Sequence, residues 1–180
     1  MAKKLPKIIN QEEFEILLKA IPKVKRISVR RKKEYQIALI LGFEAGMRIS
    51  EIVGFKKDGA WKINPLVPEQ ITESIRILGK GGKERIVPRP KRINEAAIKL
   101  LPIKIKRRGL QNFITTLGRD VLNKEITFHT LRHGFGSHLA GNGMPLHMLQ
   151  GLMGHSRLDT TGIYLHANPK ESLQKVEELF

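Results

Sequence analysis

Two histidines and an arginine near residue 130 have the types and the spacing needed to bind and cut a phosphodiester. His129, Arg132 and His133 lie three and four residues apart, so on a helix they share one face. A guanidinium binds two phosphate oxygens at once, and an imidazole hydrogen-bonds a phosphate or moves a proton. His155 and Tyr164 follow downstream, and a phenol can act as a covalent nucleophile. Together these groups could cut a phosphodiester with a protein side chain.

Two upstream segments supply further cations. Arg48 follows a helix-ending glycine, with Glu51 three residues later. The pair is either a surface ion pair or a phosphate-binding arginine whose neighbouring carboxylate orients the basic cluster. Lys80 lies on a glycine-rich turn. It is either an ordinary exposed lysine or an amine that protonates a leaving oxygen. Lys83, on the same turn, is the competing choice, and the glycines do not form the phosphate loop of an ATP site.

Two alternatives compete with this chemistry. Histidines four residues apart also suit zinc, but Thr130 stands where a zinc protease has glutamate. The chain has no cysteine and offers no clear carboxylate ligand, so we predict no metal and no other cofactor. A single tyrosine in a helix is usually part of the core, and this is our interpretation of Tyr35. Tyr164 differs because histidines surround it in the sequence.

The composition indicates a polyanionic partner. The chain has 180 residues, 41% of them hydrophobic, and a net charge of +16. This suits one domain that binds nucleic acid, with a ribosome or a membrane surface as the alternative. Seven basic residues within positions 23–33 form either a solvated, disordered loop or a strap that contacts phosphates, and the overall charge favours the strap. The predicted phosphate contacts are Lys23, Lys25, Arg26, Arg30, Arg31, Lys32, Lys33, Lys83 and Arg85.

No segment of the sequence predicts export or membrane insertion. The basic N-terminus has no apolar run behind it, and the longest apolar stretch, residues 37–43, is far too short to span a bilayer. The lack of cysteine fits a reducing interior. We therefore expect a cytoplasmic, DNA-associated protein without a membrane role.

The patterning predicts a mainly α domain with a small antiparallel β-sheet. Asn10 caps a first helix that Pro22 stops, and residues 34–45 form an apolar helix. Residues 55–90 indicate strands and turns, including a hairpin of 75–78 and 85–87 around the glycine-rich turn. Further helices are predicted at 91–101, 109–122, 128–141, 145–152, 157–165 and 170–179.

Five segments together resemble the tyrosine recombinase, or phage integrase, family, in particular its Xer-like and archaeal branches. They are residues 46–51, 79–85, 129–133, 152–156 and 160–164. The resemblance covers about residues 10–178 and fills every catalytic position of the family in the right order. It implies a mostly helical catalytic domain with a small β-sheet, and DNA strand exchange through a 3′-phosphotyrosyl link.

The resemblance assigns a role to each candidate. Tyr164 attacks the scissile phosphate, and Arg48, Arg132 and His155 bind its oxygens and stabilise the transition state. His129 assists as a base or hydrogen-bond partner, Lys80 protonates the departing 5′ oxygen, and Glu51 and His133 support these groups. Neither ATP nor a divalent ion is needed. The same chemistry in a type IB topoisomerase, and a non-catalytic DNA-binding regulator, are the alternatives.

Two departures from the family are visible. Its members usually carry an N-terminal helical core-binding domain, whereas this chain starts almost at the catalytic domain. Residues 1–180 are therefore expected to form a single catalytic domain, either as a fragment of a longer protein or as a minimal form. Gly162, beside the nucleophile, is expected to loosen its helix. The resemblance also implies a tetramer on two DNA duplexes and a monomer in free solution. Helix 170–179 would then dock on the neighbouring protomer or, alternatively, on its own domain.

Overall fold

Seven α-helices and two antiparallel β-hairpins make up the part of the chain that the structure, a computed structural model, describes: residues 8–78 and 84–154. The helices are α1 (Gln11–Ala20), α2 (Val29–Glu44), α3 (Ile49–Val53), α4 (Glu95–Ile98), α5 (Arg107–Leu122), α6 (Phe128–Gly141) and α7 (Leu146–Met153). The strands are β1 (Phe55–Lys57), β2 (Ala60–Ile63), β3 (Ser74–Leu78) and β4 (Glu84–Pro88), and short 3-10 turns lie at Ile21–Lys23 and Pro68–Gln70. The predicted fold class is confirmed, with two small sheets rather than one.

The first two helices begin at side-chain caps. Asn10 Oδ1 accepts a hydrogen bond from Glu13 N at 2.8 Å, which confirms the predicted cap of α1. Ser28 caps α2, so the prediction that this helix starts at residue 34 is wrong. Glu34 explains the earlier start, because its buried carboxylate accepts hydrogen bonds from Arg30 and Arg31 at 3.3 Å each and balances the cations of the first turn. The seven basic residues within positions 23–33, called the basic run below, therefore do not all lie in a loop or strap, because residues 29–33 are helical.

The core forms where α1 and α6 pack against the apolar part of α2. Every residue from Ile37 to Phe43 is buried. The Phe14 ring of α1 stacks on Phe43, with ring centroids 4.2 Å apart. Two glycines allow α6 to approach closely: a Cβ at Gly42 would lie 2.8 Å from the Phe128 ring, and one at Gly134 would lie 2.7 Å from both the Ile9 carbonyl and the Phe43 ring. Helix α6 is thereby seated firmly on the core.

The predicted hairpin is confirmed as β3 and β4, which pair from Ser74 opposite Pro88 to Leu78 opposite Glu84. The glycine-rich turn between them, with Lys80 and Lys83, lies outside the described residues. A second hairpin, β1–β2, turns at Asp58 and Gly59, which both have positive φ, as a tight two-residue turn requires.

In the second half of the described chain the predictions differ in accuracy. Helix α6 has the predicted bounds, and α5 and α7 differ from theirs by one or two residues. The helix predicted at 91–101 is wrong in extent, because Asn94 caps a helix that runs only from Glu95 to Ile98. The helices predicted at 157–165 and 170–179 lie outside the described residues. Within the described ranges, no helix combines the length and the apolar character needed to cross a membrane.

Replacing Gly134 by alanine should lower the free energy of unfolding by about 1–3 kcal/mol, because the added methyl group overpacks the contact between α6 and α2. Chemical denaturation measures this change. The control is Gly109→Ala in α5, where the nearest atom to an added Cβ is 3.9 Å away. It should leave stability unchanged or raise it by up to about 1 kcal/mol. Equal effects of the two substitutions would contradict the close packing of α6.

Candidate active site

Helix α6 presents the histidine and arginine group from its first two turns. Thr127 caps the helix: its hydroxyl accepts a hydrogen bond from Thr130 N at 3.2 Å, while the Thr130 hydroxyl accepts one from Thr127 N at 3.1 Å. The rings of His129 and His133 then lie edge to face, with centroids 5.4 Å apart. The predicted common face of these residues is therefore present.

Arg132 ties α6 to two other parts of the chain. Its side chain is buried, with the residue only 3% exposed, and its guanidinium donates to the carbonyls of Gly46 and Met153. Gly46 ends the α2 segment with a φ of +61°, and a Cβ there would collide with the Phe135 ring. A residue other than glycine would thus disturb both the backbone turn and the acceptor of Arg132.

Arg48 lies at the N-terminus of α3 and is held by Glu51. One Glu51 oxygen accepts a hydrogen bond from the Arg48 backbone N at 2.6 Å, and the other accepts one from Arg48 Nη1 at 2.9 Å. Arg48 Nη2 donates to the Gly154 carbonyl at 3.1 Å. The side chain remains 35% exposed, so this guanidinium still faces solvent.

Arg85, on β4, makes a two-pronged ion pair with the same carboxylate. Its Nη1 and Nη2 donate to the two Glu51 oxygens at 2.7 and 2.8 Å, and its Nε donates to the Leu152 carbonyl at 3.0 Å. Burial raises the pKa of Glu51, but the hydrogen bonds and charge of Arg85, and then of Arg48, outweigh it and hold the pKa below its usual value. Arg85 was expected from sequence to bind phosphate; the structure gives its guanidinium these internal partners.

The three arginines converge on the C-terminal end of α7. Arg85, Arg132 and Arg48 donate to the successive carbonyls of residues 152, 153 and 154. The last carbonyls of a helix lack partners within the helix and carry partial negative charge. Three guanidiniums and the one carboxylate of Glu51 leave two net positive charges here, which suits a phosphodiester.

Two histidines of α6, His129 and His133, have pKa values below the usual value of an imidazole. Desolvation, followed by the charges of Arg132 and Arg48, lowers the pKa of His129, although much of this residue is exposed. Burial, followed by His129 and Arg132, lowers the pKa of His133 to about 4. A neutral imidazole can accept a proton, so the lowered pKa of His129 favours the form that a base requires.

The structure brings together Arg48, Glu51, Arg85, His129 and Arg132, which are far apart in sequence. Lys80, Lys83, His155 and Tyr164 lie outside the described residues. Gly154, the residue before His155, accepts a hydrogen bond from Arg48, and a Cβ added to it would lie 3.0 Å from Arg85 Cδ.

The basic run is a separate surface feature at the start of α2. Lys23, Lys25, Arg26, Arg30 and Lys33 are exposed, whereas Arg31 and Lys32 are half-buried. Arg31 pairs with Glu34, and Lys32 Nζ donates to the Pro22 carbonyl at 2.7 Å. Most of the run is therefore accessible to a polyanion.

Sequence reasoning missed the link from Arg85 to Glu51 and to α7. One signal could have indicated it: Arg85 lies in a strand next to Ile86 and Val87. A charged side chain on a buried face of a strand needs a partner. Among residues 8–78 and 84–154, no group of three histidine, aspartate or glutamate side chains is placed to hold a metal ion.

The sequence pattern described as "Phage integrase family" matches residues 7–171 of this chain. A curated relative, the tyrosine recombinase XerD of Staphylococcus aureus strain Mu50, is 30% identical over 200 aligned residues. That alignment covers 99% of this chain and 63% of the relative, so the chain spans less than two thirds of the curated protein's length.

Solved structures share the fold. The crystal structure of XerA recombinase matches with a TM-score of 0.67 at 20% identity, over 98% of this chain and 66% of that one. XerH site-specific recombinase, bound to its difH substrate in a pre-cleavage complex, matches with a TM-score of 0.64 at 25% identity, over 98% of this chain and 55% of that one.

Acidification should destabilise the fold through His133. Because folding lowers the pKa of this imidazole from 6.5 to about 4, the unfolded chain binds the proton more readily. The contribution of His133 to the free energy of unfolding is complete above pH 6.5 and is lost as the pH falls toward 4. Between pH 7.5 and 5, His133→Gln should lose less unfolding free energy than the wild type, by on the order of 1 kcal/mol for a partly exposed ring.

Denaturant titrations at the two pH values measure this difference. His138→Gln, which alters an exposed histidine of the same helix, is the control and should follow the wild type. A loss in His133→Gln as large as in the wild type would contradict the prediction. The lowered pKa of His129 adds a loss of the same sign in every variant.

Proposed function

Because this chain belongs to the phage integrase family, we propose that it cuts and rejoins DNA as a tyrosine-type site-specific recombinase, with residues 1–180 acting as a single catalytic domain. The observation that carries this proposal is the convergence of Arg48 and Arg132 at the end of α7, directly before His155 in the sequence. The fixed excess of positive charge there suits the transition state of phosphoryl transfer, in which charge grows on the phosphate oxygens.

The proposed reaction is a reversible exchange of ester bonds. The Tyr164 oxygen attacks the phosphorus, the bond from phosphorus to the 5′ oxygen breaks, and a 3′-phosphotyrosyl ester forms. His129 accepts the tyrosine proton or hydrogen-bonds the phosphate, and Lys80 gives a proton to the departing 5′ oxygen. A 5′-hydroxyl from a second strand then attacks the ester and releases the tyrosine. Since the phosphotyrosyl bond conserves the energy of the phosphodiester, the reaction needs neither ATP nor a metal ion.

The two arginines divide the work of binding the phosphate. Arg48 is partly exposed and can turn an edge of its guanidinium to a phosphate oxygen, with His155 proposed as a further donor. Arg132 is buried and adds its positive charge from beneath the surface, where the lower dielectric strengthens the attraction. Glu51 and His133 keep these groups in place.

Double-stranded DNA is the proposed substrate, and the complex of XerH with difH supports this choice. The net charge of +16 implies binding driven largely by release of counterions. The exposed cations of the basic run, together with Lys83, are the proposed phosphate contacts. We propose that the free chain is monomeric and that four copies assemble on two duplexes.

Experiments can distinguish two other functions from the proposed one. A type IB topoisomerase would relax supercoiled DNA through the same ester but would not resolve Holliday junctions. A non-catalytic DNA-binding regulator would bind without forming any covalent adduct.

Replacing Tyr164 by phenylalanine should abolish covalent adducts on a nicked suicide substrate, because the attacking oxygen is lost, while DNA affinity stays nearly unchanged. Denaturing gels measure the adduct. The control is Tyr35→Phe, which keeps the ring that stacks on Phe113 with centroids 3.5 Å apart and should retain wild-type cleavage. Adducts in Tyr164→Phe but not in Tyr35→Phe would overturn the assignment of the nucleophile.

A substrate with sulfur in place of the 5′ bridging oxygen should largely rescue Lys80→Ala, because a thiolate leaves without protonation. Arg132→Ala should not be rescued, since its role is to stabilise charge. The cleavage rate of each variant is measured on the substrate with the 5′ bridging oxygen and on the one with sulfur, and the two rates are compared. Rescue of Lys83→Ala instead of Lys80→Ala would assign the general acid to the other lysine of the turn.

A further inference from the structure

We propose that Arg85 is a positioning residue for the cleavage reaction: acting through Glu51, it holds Arg48 in its phosphate-binding orientation and fixes the end of α7. This inference rests on the proposed function. It differs from the role expected from sequence, in which Arg85 would touch the DNA backbone itself.

The first argument is that the guanidinium of Arg85 points inward. All three of its nitrogens donate to protein acceptors, two to the carboxylate of Glu51 and one to the Leu152 carbonyl, at 2.7 to 3.0 Å. Its side chain is 11% exposed, against 35% for Arg48. A two-pronged grip on an external phosphate would require Arg85 to give up its hydrogen bonds to Glu51 or the one to Leu152. Arg85 is thus placed to support the site rather than to bind DNA.

The second argument is the balance of charge around Glu51. Its side chain is 2% exposed and is shared by two guanidiniums. A buried carboxylate is costly unless it is paired and hydrogen-bonded. Without Arg85, Arg48 would become the main cation for this carboxylate and would be drawn toward it. The edge of Arg48 that faces solvent would then be less available to a phosphate.

The third argument is the position of Arg85 between the segments that carry the proposed catalytic groups. Arg85 follows the turn that carries Lys80 by two residues, and its partner Leu152 lies three residues before His155. A Cβ on Gly154 would lie 3.0 Å from Arg85 Cδ and 3.2 Å from Nη1. The Arg85 side chain therefore sets the separation between the hairpin and the end of α7.

The experiment compares DNA binding and chemistry in Arg85→Gln and Arg85→Lys. Single-turnover cleavage of a nicked suicide substrate, at saturating protein, gives the rate constant of adduct formation for the DNA-bound fraction. Affinity measured across a salt titration reports the number of phosphate contacts. We expect the rate constant to fall roughly 100-fold in Arg85→Gln, the loss typical of a small misplacement of reacting groups, and less in Arg85→Lys. The salt slope should remain that of the wild type.

Arg89→Gln is the matched control. Arg89 lies just after the same strand and also makes three hydrogen bonds, to the carbonyls of Ile93 and Thr72 and to Glu95, at 2.8 to 3.0 Å. It has no described contact with Glu51 or α7, so its loss should reduce stability without slowing cleavage by the bound fraction. Glu51→Gln should slow cleavage as Arg85→Gln does, and the double variant should be no slower than either single one, because the pair acts as a unit.

The outcomes separate this inference from the proposed function. Wild-type rates in both Arg85 variants, or an equal slowing in Arg89→Gln, would overturn the positioning role. A salt slope reduced by about 0.9, the value for one lost phosphate contact, would show that Arg85 binds DNA and would also overturn it. Should Arg85→Gln fail to fold, Arg85→Lys decides the matter, because it keeps the charge but not the two-pronged geometry. A wild-type chain that forms no adduct would refute the proposed function and this inference together.

Discussion

The arrangement of the site depends on the carbonyls at the end of α7 that have no hydrogen-bond donor within the helix. A helix that stops at a left-handed glycine leaves its last acceptors without intrahelical donors, and here arginine side chains from three distant segments supply them. The partial negative charge of the helix end helps to hold these cations close together without any bound ligand. Positive charges crowded in this way would repel one another, and Glu51 offsets that repulsion from within the cluster. The protein itself therefore arranges the charges that a phosphate would meet.

Close packing of helices makes these contacts possible. Arg132 reaches the carbonyls of Gly46 and Met153 only because α6 lies tightly on α2, which the glycines at positions 42 and 134 allow. Gly46 then turns the chain so that Arg48 begins the next helix within reach of Glu51. A substitution that disturbs the core packing should therefore also alter the geometry of the site, and a substitution in the site should alter the packing.

The sequence predicted those features that depend on neighbouring residues. The cap at Asn10, the bounds of α6 and the pairing of β3 with β4 all follow from local patterns. The start of α2 was missed because a run of cations hides the cap at Ser28 and the compensating Glu34. The partners of Arg85 were missed because they are 34 and 67 residues away in the sequence, and one is a buried carboxylate and the other a backbone carbonyl. The roles of Lys80, His155 and Tyr164 stay predictions, because these residues lie outside the described part of the chain.

The hydrogen bonds that the three arginines make at the end of α7 all go to backbone carbonyls, those of residues 152, 153 and 154. Any residue in the last turn of a helix offers the same carbonyl oxygen, so the anchoring imposes little demand on which side chains α7 carries. His147 and Met148 are exposed on this helix and could be exchanged during evolution without loosening the arginines. The fold thereby separates the arginine cluster from an outer helix surface that is free to diversify, and related chains could change what α7 touches while they keep the same arrangement of arginines.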